Sequence, residues 1–227
     1  MIENCIGTIS IPLGVALNFV INHKKYIIPM AIEEPSVIAA ASNAAKIICQ
    51  NSFGFISKAS NTIVRGQIFL QNLKTENPFK KLKENHSSLK KFANKNLCSS
   101  LDQRGGGVTR MFLEKIHQTD TYCLYVLVNV LEAMGANMVN TILEGLQGTI
   151  CVLLDADPLM SIVSNLSQEK CVKSFFKLPV ESLGQNGVQI AKNIVLANRV
   201  TKYNLNRATT HNKGILNGVI GVANALG

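Results

Sequence analysis

The segment from Tyr122 to Leu131 is a run of apolar side chains broken only by Asn129. Ala133-Met134-Gly135-Ala136 follows it, and then a helix-like pattern to about Gln147. A run of this length covers about half a membrane span and reads as a buried strand. Strand, glycine turn and helix in that order aim backbone N–H groups at a bound phosphate. The glycines do not follow the G-x-G-x-x-G pattern, so a Rossmann domain is not indicated.

Elements on either side mix strands and helices. Residues 9 to 30 read as strands around a turn: Ile9 to Gly14 first, then the polar cluster Asn22-His23-Lys24-Lys25, then Tyr26 to Met30. Pro35-Ser36 opens a helix through about Gln50, and Phe53-Gly54-Phe55 ends it. From about Thr62 the character changes. Val64 to Asn72 reads as a strand and the lysine-rich stretch after it as a helix. Gly105-Gly106-Gly107 makes a turn before the alternating run Val108 to Ile116. Lys173 to Pro179 reads as a strand, Gly187 to Arg199 as a helix and Gly214 to Ala225 as another.

Composition bounds the function. Apolar residues make up 47% and charged residues 16% of the 227, a globular balance. Met1-Ile2-Glu3-Asn4 has no basic region leading into an apolar core, so a signal peptide is not expected, and a cytoplasmic protein without a membrane span is. Six scattered cysteines show no CxxC and no Cys/His ligand spacing, which argues against both a metal site and a disulfide framework. The net charge of +9 owes much to seven lysines between Lys74 and Lys95, opposed there only by Glu76 and Glu84. A solvated helix face is the first reading of that stretch, and phosphate steering the second. Nucleic-acid binding is not supported, because the stretch lacks aromatics and a recognised motif.

The run Arg207-Ala208-Thr209-Thr210-His211-Asn212-Lys213-Gly214 concentrates cations, a histidine and helix-start residues. It reads as a short loop entering a helix at Gly214. A lysine there can stabilise negative charge that develops on a substrate. The run resembles the catalytic-lysine segment of the 3-hydroxy-3-methylglutaryl-CoA (HMG-CoA) reductases, particularly class II. Three further stretches resemble that family in the same order. They are Glu3-Asn4-Cys5-Ile6-Gly7, Glu33-Glu34-Pro35-Ser36, and the cofactor loop Glu132-Ala133-Met134-Gly135-Ala136-Asn137. Glu132 stands where the family has aspartate, and Cys5 where it has valine.

The resemblance implies an α+β fold. A larger substrate-binding domain, here residues 1–61 and 169–227, is interrupted by a small non-Rossmann dinucleotide-binding domain at 62–168. It implies reduction of the HMG-CoA thioester by two hydride transfers from NADH or NADPH to mevalonate and coenzyme A, or the reverse. Lys213 would stabilise the carbonyl oxygen and Glu34 would donate its proton, a task that burial would favour. Arg207 would hold the substrate carboxylate through two hydrogen bonds, and Ser36 would bond the substrate. Met134, Gly135, Asn137, Asn165 and Asn217 would contact the dinucleotide. His211 reads as structural support. No acidic residue occupies the position near Leu97 or Cys98 that would favour NAD, so NADH and NADPH both stay open. A homodimer with its active site at the interface is also implied.

The family's later aspartate, in a Gly-Asn-Asp segment, and its late histidine would lie beyond Gly227. About fifty residues would precede the Glu3-Asn4 motif. The 227 residues therefore read as an internal slice of a longer reductase, with little or no turnover expected from them alone. The alternative is a catalytically inactive truncated reductase that retains nucleotide or coenzyme A binding.

Overall fold

In a computed structural model, the structure describes residues 3–166 and 168–227. Met1 and Ile2, which lead into the Glu3-Asn4 motif, and Ser167 lie outside the described residues. The chain divides into two compact units, Met1–Lys58 with Lys173–Gly227, and Ala59–Val172.

The second unit holds a four-stranded sheet. Its elements are β4 (Ile63–Gln71), α2 (Pro78–Phe92), a π-helical turn (Ala93–Leu97), α3 (Ser99–Gln103), β5 (Gly107–Lys115), β6 (Tyr122–Asn129), α4 (Ala136–Leu154) and β7 (Asp157–Val163). The sheet order is β5-β6-β4-β7, with every neighbour antiparallel. This is the split β-α-β arrangement, two crossover helices on one face of an antiparallel sheet. Strand β4 alternates strictly between buried and half-buried positions, with Val64, Ile68 and Leu70 facing the core. Helix α4 contributes Val139, Ile142, Leu143, Leu146, Ile150 and Leu154, a 3.6-residue stripe buried against that face. Each such side chain stabilises the fold by about 1.5–3 kcal/mol through burial. Helix α2 starts with Pro78 at its first turn and ends on Lys90 and Lys91, both favourable placements. It buries Leu82 and Leu89 and leaves Lys80 and Lys83 exposed.

The first unit is built from β1 (Leu13–Ile21), β2 (Lys24–Ala31), α1 (Val37–Asn51), α5 (Gly187–Tyr203) and α6 (Leu205–Leu226). Strands β1 and β2 form an antiparallel hairpin through Asn22 and His23, both with positive φ (49° and 65°). Two short strands, β3 (Ile56–Ala59) and β8 (Val172–Phe175), pair with each other.

Several sequence-based expectations are corrected here. Ile9 to Pro12 lie outside β1, and the strand expected from Lys173 to Pro179 stops at Phe175. Helix α4 runs seven residues past Gln147, to Leu154, because its apolar stripe continues through Ile150. Strand β7 and helix α3 carried no clear period and were not anticipated. The largest difference is α6, which begins at Leu205 rather than Gly214. Asn204 ends α5 and caps α6, its side chain accepting a hydrogen bond from the Arg207 N–H at 2.8 Å. With that cap in place, the polar run Arg207 to Lys213 is helical throughout. Among the described residues, no helix is long and apolar enough to cross a membrane.

Candidate functional site

Lys213 lies in the third turn of α6, not at a loop-to-helix junction, so its position is set by how α6 packs. The stripe Lys213, Asn217, Gly221 runs along one face at i, i+4 spacing, and Asn224 extends it. A Cβ on Gly221 would sit 3.3 Å from Met30 Cε and 3.5 Å from Ile32 Cβ. The missing side chain lets α6 approach the end of β2 closely. Asn224 Nδ2 donates to the Ala31 carbonyl at 3.5 Å on the same face. Glu34 follows β2 by three residues, and the stripe brings Lys213 to it. Lys213 Nζ donates to Glu34 Oε2 at 3.4 Å, across 179 residues of sequence.

The pair is open to solvent. The Lys213 side chain is 65% exposed and that of Glu34 is 46% exposed, so the burial expected for Glu34 is not found. An exposed ion pair of this kind contributes about 0–1 kcal/mol. Its significance is positional: an acid and a cation converge on one point beside open space. Gly214, next to Lys213, has nothing within 4 Å of an added Cβ, which leaves that face of α6 clear.

Ser36 is exposed, two residues from Glu34, and holds φ = 65°. A serine in the left-handed region costs about 1–3 kcal/mol, and such strain concentrates at functional sites. Its side chain makes no capping bond to α1, although its carbonyl accepts from the Ala40 N–H at 2.8 Å. Arg207 is exposed in the first turn of α6. Six residues from Lys213, it lies about 9 Å back along the helix and about 120° around it, off the Lys213 stripe. His211 is half-buried on the same helix.

Four of the remaining candidates, Met134, Gly135, Asn137 and Asn165, gather at one end of the four-stranded sheet. Asn129, at the end of β6, pairs with Ile63 at the start of β4 and with Gly107 at the start of β5. At the same end of β4, Gly66 pairs with Val163 of β7, and the Arg65 carbonyl accepts from the Ser164 N–H at 2.8 Å. The loop carrying Met134 and Gly135 and the turn carrying Asn165 therefore flank the start of β4. Asn140, in α4, ties them together by accepting from the Val163 N–H at 2.9 Å. Sequence reading missed that role because a mid-helix asparagine carries no signal of its partner.

Gly135 has φ = 95°, and an added Cβ would lie 2.7 Å from Val130 Cγ1. Only glycine fits this turn. Leu131, four residues earlier, also holds a positive φ of 54°. Helix α4 has no side-chain cap. The Ala136 N–H leans on Met134 Sδ at 3.4 Å, and those of Asn137 and Met138 have no helical acceptor. Free amides, the positive end of the helix dipole and exposed Met134 and Asn137 side chains form a donor set that suits a dinucleotide phosphate. Asn165 is exposed at the same end of the sheet. Asn217 belongs to the first unit, half-buried one turn beyond Lys213. Among the described residues, no cluster of His, Cys, Asp and Glu could hold a metal ion.

A family model described as hydroxymethylglutaryl-coenzyme A reductase matches residues 1–227. The 3-hydroxy-3-methylglutaryl-coenzyme A reductase of Archaeoglobus fulgidus is 34% identical over 232 residues, covering 100% of this chain and 52% of that protein. A probable reductase of the same name from Borreliella burgdorferi is 33% identical over 225 residues, covering 98% and 51%. The class II enzyme of Streptococcus pneumoniae bound to NADPH in open conformations superposes with a TM-score of 0.91 at 35% identity, covering 97% of this chain and 60% of that one. A second structure of the S. pneumoniae enzyme gives a TM-score of 0.92 at 34% identity, with 97% and 53% covered. The chain spans about half the length of the curated relatives it matches.

Proposed function

This chain belongs to the hydroxymethylglutaryl-coenzyme A reductase family, and we propose that it forms part of an enzyme converting HMG-CoA to mevalonate and coenzyme A, or the reverse, with NADH or NADPH. The observation that carries the reading is the convergence of Lys213 and Glu34 at 3.4 Å from opposite ends of the chain. Lys213 stabilises the charge that develops on the thioester oxygen, and Glu34 supplies a proton to it. Arg207 holds the distal carboxylate and Ser36 bonds the substrate. A bound nicotinamide supplies the hydride. Met134, Gly135, Asn137 and Asn165 hold the dinucleotide at the sheet end, and Asn217 is a further dinucleotide contact by the family's pattern. In this reading residues 62–168 are the dinucleotide-binding domain and the flanking segments the substrate-binding domain.

The working form in this proposal is a cytoplasmic homodimer with the active site at its interface. What supports association is the apolar surface of α5, where Ile194, Val195 and Leu196 are 57–59% exposed. Sedimentation of the purified protein checks it, and a monomer at all concentrations contradicts it.

The function is tested by following nicotinamide absorbance with HMG-CoA and either dinucleotide in the longer enzyme of which this chain is proposed to form part. The substitution Lys213→Ala should lower turnover by at least about 100-fold while dinucleotide binding stays largely intact. Turnover that survives the substitution refutes the role given to Lys213. Dinucleotide binding with no turnover in the unsubstituted protein favours a binding-only remnant.

A further inference from the structure

Asn129 breaks the apolar run Tyr122 to Leu131, and none of the roles given above uses its side chain. A carboxamide placed in such a run costs stability unless its polar atoms are bonded. Here the Oδ1 accepts from the Thr62 hydroxyl at 2.8 Å and from the Leu131 N–H at 3.2 Å. A backbone N–H can only donate, so the Leu131 bond identifies the acceptor atom as the oxygen, and both of its lone pairs are used. The Asn129 backbone is held too, by its pairing with Ile63 of β4 and Gly107 of β5.

These bonds converge on a strained turn. Leu131 holds a φ of 54°, a left-handed conformation that its Cβ disfavours. Its side chain is half-buried against the core of the Ala59–Val172 unit. On either side the chain is pinned, the Val130 N–H donating to the Thr62 carbonyl at 3.0 Å and the Ala133 N–H to the Val130 carbonyl at 3.2 Å. Thr62 thus grips Val130 through its carbonyl and Asn129 through its hydroxyl. The reversal at Leu131 delivers the chain to Met134 and to Gly135, whose bare α-carbon packs on Val130. Relaxation of Leu131 to an extended conformation would straighten the chain after Val130 and carry both residues away from it.

We propose that Asn129, anchored by Thr62, is a positioning residue for the dinucleotide. Through Leu131 it holds the loop in the shape that presents Met134, Gly135 and the first amides of α4. The inference rests on the dinucleotide reading of that loop and adds to it the group that sets the loop's geometry.

The test uses the longer enzyme, with NADPH affinity read by fluorescence titration and hydrogen exchange of residues 131–136 read without ligand. Asn129→Ala should raise the NADPH Kd by about tenfold and speed exchange at Ala133 by about the same factor relative to Tyr125 and Val126 in β6. Asn129→Asp keeps an oxygen acceptor in place, so exchange at Ala133 should stay within about twofold of the unsubstituted rate. In a Leu131→Gly background a positive φ needs no support, and Asn129→Ala should then raise the Kd by about twofold at most. A merely structural Asn129 would lower the urea midpoint and leave NADPH affinity and relative Ala133 exchange unmoved, which overturns the proposal. An equal loss of affinity in the two backgrounds overturns it as well. Failure of the unsubstituted enzyme to bind NADPH overturns the dinucleotide reading itself and this inference with it, whereas equal binding by Asn129→Ala overturns the inference alone.

Discussion

At the scale of single residues, two glycines pull in opposite directions. Gly135 cannot carry a side chain: its φ of 95° and the 2.7 Å approach to Val130 both exclude one. Gly135→Ala should destabilise the protein by about 1–3 kcal/mol and weaken dinucleotide binding, read as a lower urea midpoint and a higher Kd. Gly214 sits in the interior of α6 with open space around it. Gly214→Ala should stabilise the helix by about 1 kcal/mol and raise Tm. If HMG-CoA uses that space, the same change should also raise KM. A gain in Tm with kinetics untouched would mean that the clear face of α6 is not part of the substrate site. Gly135 was legible from its motif. The openness beside Gly214 was not, because it depends on which segments fold over α6.

At the scale of elements, Asn204 decides where α6 begins and so where Lys213 stands on it. Removing the cap with Asn204→Ala should cost about 0.5–2 kcal/mol, seen in chemical denaturation. Replacement by aspartate or serine should recover most of the loss, and failure to do so would assign Asn204 another role. The sequence carried this signal, an asparagine between two periodic runs. The glycine at 214 and the hydroxyl-rich stretch before it pointed more strongly to a later start, since both are poor helix formers. Tertiary packing overrode that weak preference through Gly221 and Asn224 against the end of β2. The strands read well wherever alternation was strict, as in β4, or where an apolar run was continuous, as in β6. Strand β7, with Pro158 in it and mostly exposed side chains, had neither pattern.

At the scale of the whole molecule, the well-packed core lies within the Ala59–Val172 unit, while α5 keeps a row of apolar side chains exposed. Hydrogen exchange should therefore be slowest in β4, β6 and α4 and faster in α5, and comparable protection of α5 in the isolated chain would contradict this. Burial also pushes the thiols of Cys98 and Cys123 above their ordinary range. In that case the unfolded chain ionises first, binds fewer protons than the folded one, and stability falls as pH climbs through the ordinary thiol range. Urea midpoints across that range should show the decline, with a shallower slope in Cys123→Ala. The sequence by itself determined the family, the buried strand–turn–helix from Tyr122 to about Gln147 and the identity of the candidate acid and cation. Each rests on local pattern, and local pattern survives in one dimension. Only the tertiary structure decided that α6 starts at Asn204, that Glu34 and Lys213 meet, and that Asn165 stands at the sheet end beside Gly135. Those facts depend on contacts between residues far apart in the chain, where packing and register act and periodicity is silent.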